Sequence, residues 1–139
     1  MDHDDFSLCM VGNTRMAARA VTRRYDGYLR NHGVTATQLS LLGGLRMMPD
    51  ATVSEFAEAR GFERTTLTRN LDRLKAQGLV ASHAAEHGNG RISRLTKKGD
   101  TLIDALLPLW RKAQAELSAE LSPDTFAAST NVLRRLAKV

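Results

Sequence analysis

The chain has 139 residues, a net charge of +5, 42% hydrophobic residues and 25% charged residues, proportions that are ordinary for one globular domain. No run approaches the roughly 18 apolar residues needed to span a membrane, and the acidic start MDHDD does not resemble a signal peptide, so we expect a cytoplasmic protein with no membrane partner. The single cysteine, Cys9, excludes an intrachain disulfide.

Residues 4–31 are predicted to form one long helix. Apolar residues recur along it at offsets of seven, four, four and three: Met10, Ala17, Val21, Tyr25 and Tyr28. A helix of this length at one end of a small chain has too little of its own protein to pack on.

Thr35 begins a second helix. Thr35 and Gln38 have the spacing of a capping box, and Val34 and Leu39 are placed as a hydrophobic staple across the first turn. After this helix, residues 52–53 are predicted to add a short strand.

A helix-turn-helix pattern follows. Residues 54–60 are predicted to form a short helix capped by Ser54, and residues 61–63 form a tight connection with one glycine and one apolar residue. Residues 64–77 then form an amphipathic helix that ends at Gly78. Its apolar face consists of Leu67, Leu71 and Leu74. In helix-turn-helix proteins the second helix enters a DNA major groove.

Two short segments of strand character come next, residues 79–85 and 91–96. The glycine-rich segment EHGNG between them indicates a hairpin loop. Residues 64–98 contain eight basic and two acidic residues, a net charge of +6, so the rest of the chain sums to about −1. This concentration of positive charge on one helix and one hairpin is typical of a surface that faces a phosphate backbone.

Two helices complete the chain. Residues 97–121 are predicted to form a long helix, in which Pro108 should cause a kink. Ser122 then caps a last helix, with Pro123 at its first position, that runs to about Lys138.

From about residue 15 to about residue 121 the chain resembles the MarR family of winged helix-turn-helix transcriptional regulators. The resemblance rests on VTATQLSLL at residues 34–42, on LTRNLDRL at 67–74 with GLV at 78–80, and on Arg91 with LTKKG at 95–99. One departure lies at the wing. The family usually carries an aspartate and paired arginines there, whereas this chain has GNGR, so only Arg91 carries over.

The resemblance implies a mainly α fold with a small β-hairpin wing. Residues 34–99 would form the winged helix-turn-helix DNA-binding domain, and residues 4–33 and 100–139 would form the N- and C-terminal dimerisation helices of a homodimer. The implied function is that of a repressor that binds double-stranded DNA at a near-palindromic operator and is released by a small-molecule effector.

The expected DNA contacts lie on the second helix of the pattern and on the wing. We expect base-edge contacts from Thr65, Thr66, Thr68 and Arg69. We expect Arg64 and Arg73 to lie nearer the DNA backbone, and Arg91, with His87 or Asn89, to reach a flanking minor groove.

Two hypotheses concern the signal that such a regulator would sense, a small molecule or peroxide. In the family, aromatic or amphipathic molecules often bind between the dimer helices and the winged domain. Candidate residues for such a pocket are Met16, Arg19, Tyr25, Tyr28 and Trp110, although all five also fit a core or an interface. Some family members instead sense peroxide through a cysteine near the start of the first helix. Cys9 has that position, but its apolar neighbours favour an inert thiol.

Other classes of protein are less well supported. The sequence has no glycine-rich phosphate loop, and no catalytic nucleophile with a general base in recognisable surroundings. We therefore expect that the protein is not an enzyme and binds no cofactor. Asp100 and Asp104 are spaced as on a solvated helix face. His83 and His87 fall on a strand and a loop, a spacing that does not predict a metal site. A non-specific architectural DNA-binding protein remains the alternative with the same charge pattern.

Overall fold

The structure is a computed structural model that describes residues 5–138. Six α-helices and one two-stranded antiparallel hairpin follow each other in this part of the chain: α1 (Met10–Leu29), α2 (Ala36–Met47), α3 (Val53–Arg60), α4 (Arg64–Ala76), β1 (Val80–Ala84), β2 (Arg91–Leu95), α5 (Lys97–Leu121) and α6 (Pro123–Leu136). Short 3-10 turns lie at Phe6–Leu8 and Arg30–His32. The expected mainly α fold with a β-hairpin wing is confirmed.

The core lies where α2, α3, α4, the hairpin and the first half of α5 meet. Its fully buried side chains include Leu42, Phe56, Leu67 and Leu74. The Phe56 ring stacks on that of Phe62, with ring centroids 6.3 Å apart, so the apolar residue of the tight turn closes one end of the core. A smaller cluster formed by Leu29, Leu39 and Leu106 joins α1 to α2 and α5.

The first helix is shorter than predicted. Asp5 accepts hydrogen bonds from the backbone and the hydroxyl of Ser7, which stabilises the 3-10 turn Phe6–Leu8 instead of an α-helix. Cys9 is extended and α1 begins at Met10. Residue 4, the predicted start, lies outside the described residues. At the other end Gly33 adopts a left-handed conformation with φ of 70° and terminates the segment.

The starts of α2 and α3 depend on local hydrogen bonds. The predicted capping box of Thr35 and Gln38 is confirmed in both directions. The prediction that Ser54 caps α3 was wrong, because Thr52 and Glu55 form a second capping box that starts this helix at Val53. The strand predicted at residues 52–53 is reduced to one bridge, between Thr52 and Ile92.

Polar side chains connect α1 to the second half of α5. Arg24 on α1 donates two hydrogen bonds to the Glu120 carboxylate of α5, at 2.7 and 2.8 Å. The hydroxyls of Tyr25 and Tyr28 on α1 donate to Gln114 and Glu116 of α5. The last helix ends at Leu136, two residues before the predicted end. None of the helices in residues 5–138 is long and apolar enough to cross a membrane.

Candidate nucleic-acid interface

Three leucines hold α4 in the core. Leu67, Leu71 and Leu74 are each no more than 2% exposed. The helix ends as predicted, because Gly78 adopts φ of 74° and the Leu79 amide donates to the Leu74 carbonyl at 3.0 Å. The opposite face of α4 is left open to solvent.

That exposed face carries the residues predicted to contact DNA. Thr65, Thr66, Thr68, Arg69 and Arg73 are all exposed. The structure brings several of the predicted residues together around a shallow, open hollow of about 530 Å³, which is lined by Arg64, Thr65, Thr68, Arg69 and Asp72. The exposed face therefore combines hydroxyl groups with guanidinium groups, the two kinds of donor that reach base edges and phosphates.

Arg73 lies apart from that group, on the side of α4 that faces the start of α2. With Asn70 it lines a cleft of about 160 Å³, and Thr35 and Thr37 form the opposite wall. The expected contact of Arg73 near the DNA backbone stays a prediction.

The side chain of Arg64, at the first position of α4, is held by the preceding helix. Its Nη1 donates to Ser54 Oγ at 2.5 Å. Because Thr52 caps α3, the Ser54 hydroxyl is not used at the start of that helix. Ser54 was missed as a partner of Arg64, since nothing in the spacing of ten residues indicates the pair.

In the wing, residues Val80 to Ala84 pair with residues Arg91 to Leu95, with Ser82 opposite Ser93 and Ala84 opposite Arg91. The Arg91 side chain crosses to β1, where Nε and Nη2 donate to Ser82 Oγ at 3.2 and 3.1 Å. The guanidinium therefore lies over the body of the hairpin. His87 and Asn89 are exposed in the loop beyond it.

The base of the wing is tied to the core at several points. Arg94 donates to the Pro49 carbonyl at 3.1 Å and to the Asp50 carboxylate at 2.9 Å. Thr96 donates through its hydroxyl to the Gly78 carbonyl at 2.6 Å and through its amide to the Leu79 carbonyl at 3.0 Å. The wing and the end of α4 are thus fixed relative to each other.

Two arginines away from this surface, Arg46 and Arg24, are paired with carboxylates. Arg46 on α2 bonds to Asp100 at 2.6 Å and to Asp104 at 3.0 Å, and both aspartates are on an exposed face of α5. Hydrogen bonding to Asp100 is the largest cause of the raised pKa of Arg46. Arg24 likewise lowers the pKa of Glu120 through a hydrogen bond.

The residues proposed from the sequence for an effector pocket occupy different environments. Tyr25 and Tyr28 lie at the contact of α1 with α5. The pKa of Tyr28 is raised, mainly by its hydrogen bond to Glu116, and burial raises the pKa of Tyr25. Met16 is 58% exposed and Trp110 is 40% exposed, and Arg19 is also exposed. Exposed side chains of this kind are available to a partner or a ligand.

Cys9 and the histidines complete the predicted sites. Cys9 is partly exposed, and its backbone carbonyl accepts a hydrogen bond from the Asn13 side chain at 2.8 Å. A redox role for its thiol stays a prediction. Within residues 5–138, His83 and His87 belong to no group of three or more potential metal ligands.

Comparison with known proteins relates the chain to one family. A model described as the MarR family matches residues 32–92. The HTH-type transcriptional regulator YwoH of Bacillus subtilis is 23% identical over 90% of this chain and 91% of its own length. The crystal structure of the M. tuberculosis transcriptional regulator MosR is 36% identical, with a TM-score of 0.79 over 96% of this chain and 99% of that chain.

Two further solved structures are similar to this chain. A structure of MosR in complex with DNA is 38% identical, with a TM-score of 0.79 over 94% of this chain and 96% of that chain. BpsR of Bordetella bronchiseptica, whose DNA binding is regulated by 6-hydroxynicotinic acid, has a TM-score of 0.82 at 21% identity over 96% of each chain. At that identity the similarity to BpsR shows a shared fold.

Proposed function

The chain belongs to the MarR family of DNA-binding, winged helix-turn-helix transcriptional regulators, and from that premise we propose that it is a dimeric repressor released from a near-palindromic operator by a small molecule. The observation that carries the DNA-binding part is the leucine-anchored helix α4, whose opposite face is exposed and cationic. Its relatives are transcriptional regulators, which are not enzymes.

In this proposal α4 reads the operator and the arginines around it hold the backbone. Thr65, Thr66, Thr68 and Arg69 contact base edges in the major groove. Arg64 and Arg73 contact phosphates, where they supply affinity that falls with salt concentration. Arg91 contacts the DNA that flanks the major-groove site.

The proposed dimer is supported by apolar side chains that the single chain leaves exposed. Among residues 5–138, the large exposed hydrophobic residues other than Met47 lie in the terminal elements, which are the turn Phe6–Leu8, α1, α5 and α6: Phe6, Leu8, Met10, Val11, Met16, Val21, Trp110, Leu121, Val132, Leu133 and Leu136. Leu133 on α6, for example, is 55% exposed. Exposing this many large apolar side chains to water is costly, and a second copy of the chain would bury them against the same elements of its own.

We expect the wild-type protein to bind a near-palindromic operator at least about 1,000-fold more tightly than random duplex, because base readout adds to the phosphate contacts. The measurement is a titration of both duplexes at one stated salt concentration. Equal affinity for the two duplexes would instead identify a non-specific architectural protein.

The same titration tests the dimer. Leu133→Asp should give a monomer that loses most of its affinity for the operator, because the two half-sites are no longer bound together. Met47→Asp is the matched control, since Met47 is 79% exposed but lies outside the terminal elements, and it should stay dimeric. A Leu133→Asp protein that sediments as a dimer would contradict this interface.

The effector is proposed to be a small aromatic acid. Support comes from the fold shared with BpsR, which responds to 6-hydroxynicotinic acid. Further support comes from the aromatic side chains Tyr25, Tyr28 and Trp110, the cationic Arg19 and the apolar Met16 on α1 and α5. Such a ligand acts by binding more tightly to the dimer whose α4 helices are wrongly spaced for DNA.

We expect 6-hydroxynicotinic acid or benzoate to release the operator, and Arg19→Ala to raise the required concentration about tenfold because the ligand carboxylate loses its cation. Arg15→Ala is the matched control, an exposed arginine one helical turn earlier on α1. Operator release is followed by fluorescence anisotropy. An equal response of both variants would remove Arg19 from the site, and no release by either acid would contradict the proposed ligand class.

A further inference from the structure

Five arginines have a side-chain partner among residues 5–138, and these partners are of two kinds. Arg24, Arg46 and Arg94 each bond to a carboxylate at 2.6 to 2.9 Å. Arg64 and Arg91, at the two edges of the candidate DNA-binding surface, instead bond to the hydroxyls of Ser54 and Ser82. Neither of these two has a carboxylate within ion-pair distance among residues 5–138.

The difference matters for a surface that binds a polyanion. A carboxylate fixes an arginine side chain but cancels its charge, and it must be displaced before a phosphate can take its place. A serine hydroxyl fixes the side chain and leaves the full positive charge available. An arginine that is already ordered loses less side-chain entropy when it binds.

The geometry leaves donors free on both guanidinium groups. Arg64 uses Nη1 for Ser54, and its Nε and Nη2 have no other hydrogen-bond partner among the described residues. Arg91 uses Nε and Nη2 for Ser82, which leaves both hydrogens of Nη1. Each arginine can therefore keep its serine and still donate to a phosphate or a base edge.

Each serine acts from a different element than its arginine. Ser54 lies in the first turn of α3 and reaches the start of α4, so the pair connects the two helices of the helix-turn-helix. Ser82 lies on β1 and holds Arg91 of β2 over the hairpin, away from the wing loop. The direction of both side chains is thus determined by the domain and not by DNA.

We propose that Ser54 and Ser82 are positioning residues for DNA binding, which order Arg64 and Arg91 towards the duplex without neutralising them. This inference rests on the proposed function. It predicts that the serines act only through their arginines.

We expect Ser54→Ala and Ser82→Ala each to weaken operator binding about three- to tenfold, as the arginine must be ordered on binding. The slope of log affinity against log salt should stay unchanged, because the phosphate contacts are still made. Arg64→Ala or Arg91→Ala should lower that slope by about 0.9 if the lost contact is to a phosphate. Ser40→Ala, at an exposed serine of α2, is the control and should bind as wild type.

A double-mutant cycle separates positioning from a direct contact. Once Arg91 is alanine, Ser82→Ala should cause no further loss, and the same should hold for Ser54 once Arg64 is alanine. Ser82→Thr keeps a hydroxyl on a strand and should restore binding. Thermal unfolding of the serine variants should match wild type.

Three results would overturn the inference. Serine variants that bind as wild type show that no positioning occurs, and serine variants that lose the same factor with and without the arginine show that the hydroxyl acts by itself. Unfolding at a lower temperature, with affinity restored by cooling, would show a structural role. A wild-type protein that does not distinguish operator from random duplex overturns the proposed function, whereas the other three outcomes leave it intact.

Discussion

Replacing Arg69 with alanine should reduce operator affinity by about 1 to 3 kcal/mol, roughly 5- to 150-fold, and should relax the base preference at one position of each half-site. Arg69 is exposed on the face of α4 opposite the buried leucines and lines the same hollow as Thr65 and Thr68. A guanidinium at this place can donate two hydrogen bonds to one guanine edge. Titration of the operator and of single-base variants would measure both effects.

The control for this prediction is Arg111→Ala, which removes the same charge from an exposed position on α5. It should change affinity only slightly, since the charge lies outside the candidate surface. If Arg69→Ala keeps both the wild-type affinity and the wild-type base preference, Arg69 does not read the operator.

Replacing Gly99 with alanine should destabilise the protein by at least about 2 kcal/mol and should also weaken DNA binding. A Cβ at this position would overlap the Leu79 carbonyl oxygen and lie 3.1 Å from the carbonyl carbon. The obstacle is backbone, which cannot turn aside as a flexible side chain can, so α5 or the start of the wing must shift. Urea unfolding measures the first effect, and operator titration of the folded protein measures the second.

Gly43→Ala is the matched control, because Gly43 also lies inside a helix but a Cβ there would meet no atom within 4 Å. Alanine should stabilise α2 by up to about 1 kcal/mol, since it has less backbone freedom to lose than glycine. A Gly99→Ala protein as stable as Gly43→Ala would mean that the junction between the wing and α5 adapts easily.

The α4 helix shows how much local sequence can predict. Leucines at positions 67, 71 and 74 share one face in any α-helix, and all three are buried. The end at Gly78 and the capping box of Thr35 with Gln38 depend on residues within one turn of each other, so their spacing was sufficient. The start of α3 also depends on residues within one turn, Thr52 and Glu55, and not on the predicted cap Ser54.

The partners of the charged side chains could not be read in this way. Arg46 meets Asp100 across 54 residues of chain, and Arg24 meets Glu120 across 96. Arg64 and Arg91 are cationic in the sequence, but only the packing of α3 on α4 and the register of β1 on β2 give them serine partners. Helix periodicity and caps follow from backbone geometry within a few residues. The sequence alone therefore determined which residues form α4 and which face of α4 is exposed to solvent. Only the tertiary structure decided which arginines pair with a carboxylate and which do not, because this pairing depends on distances between elements far apart in the chain.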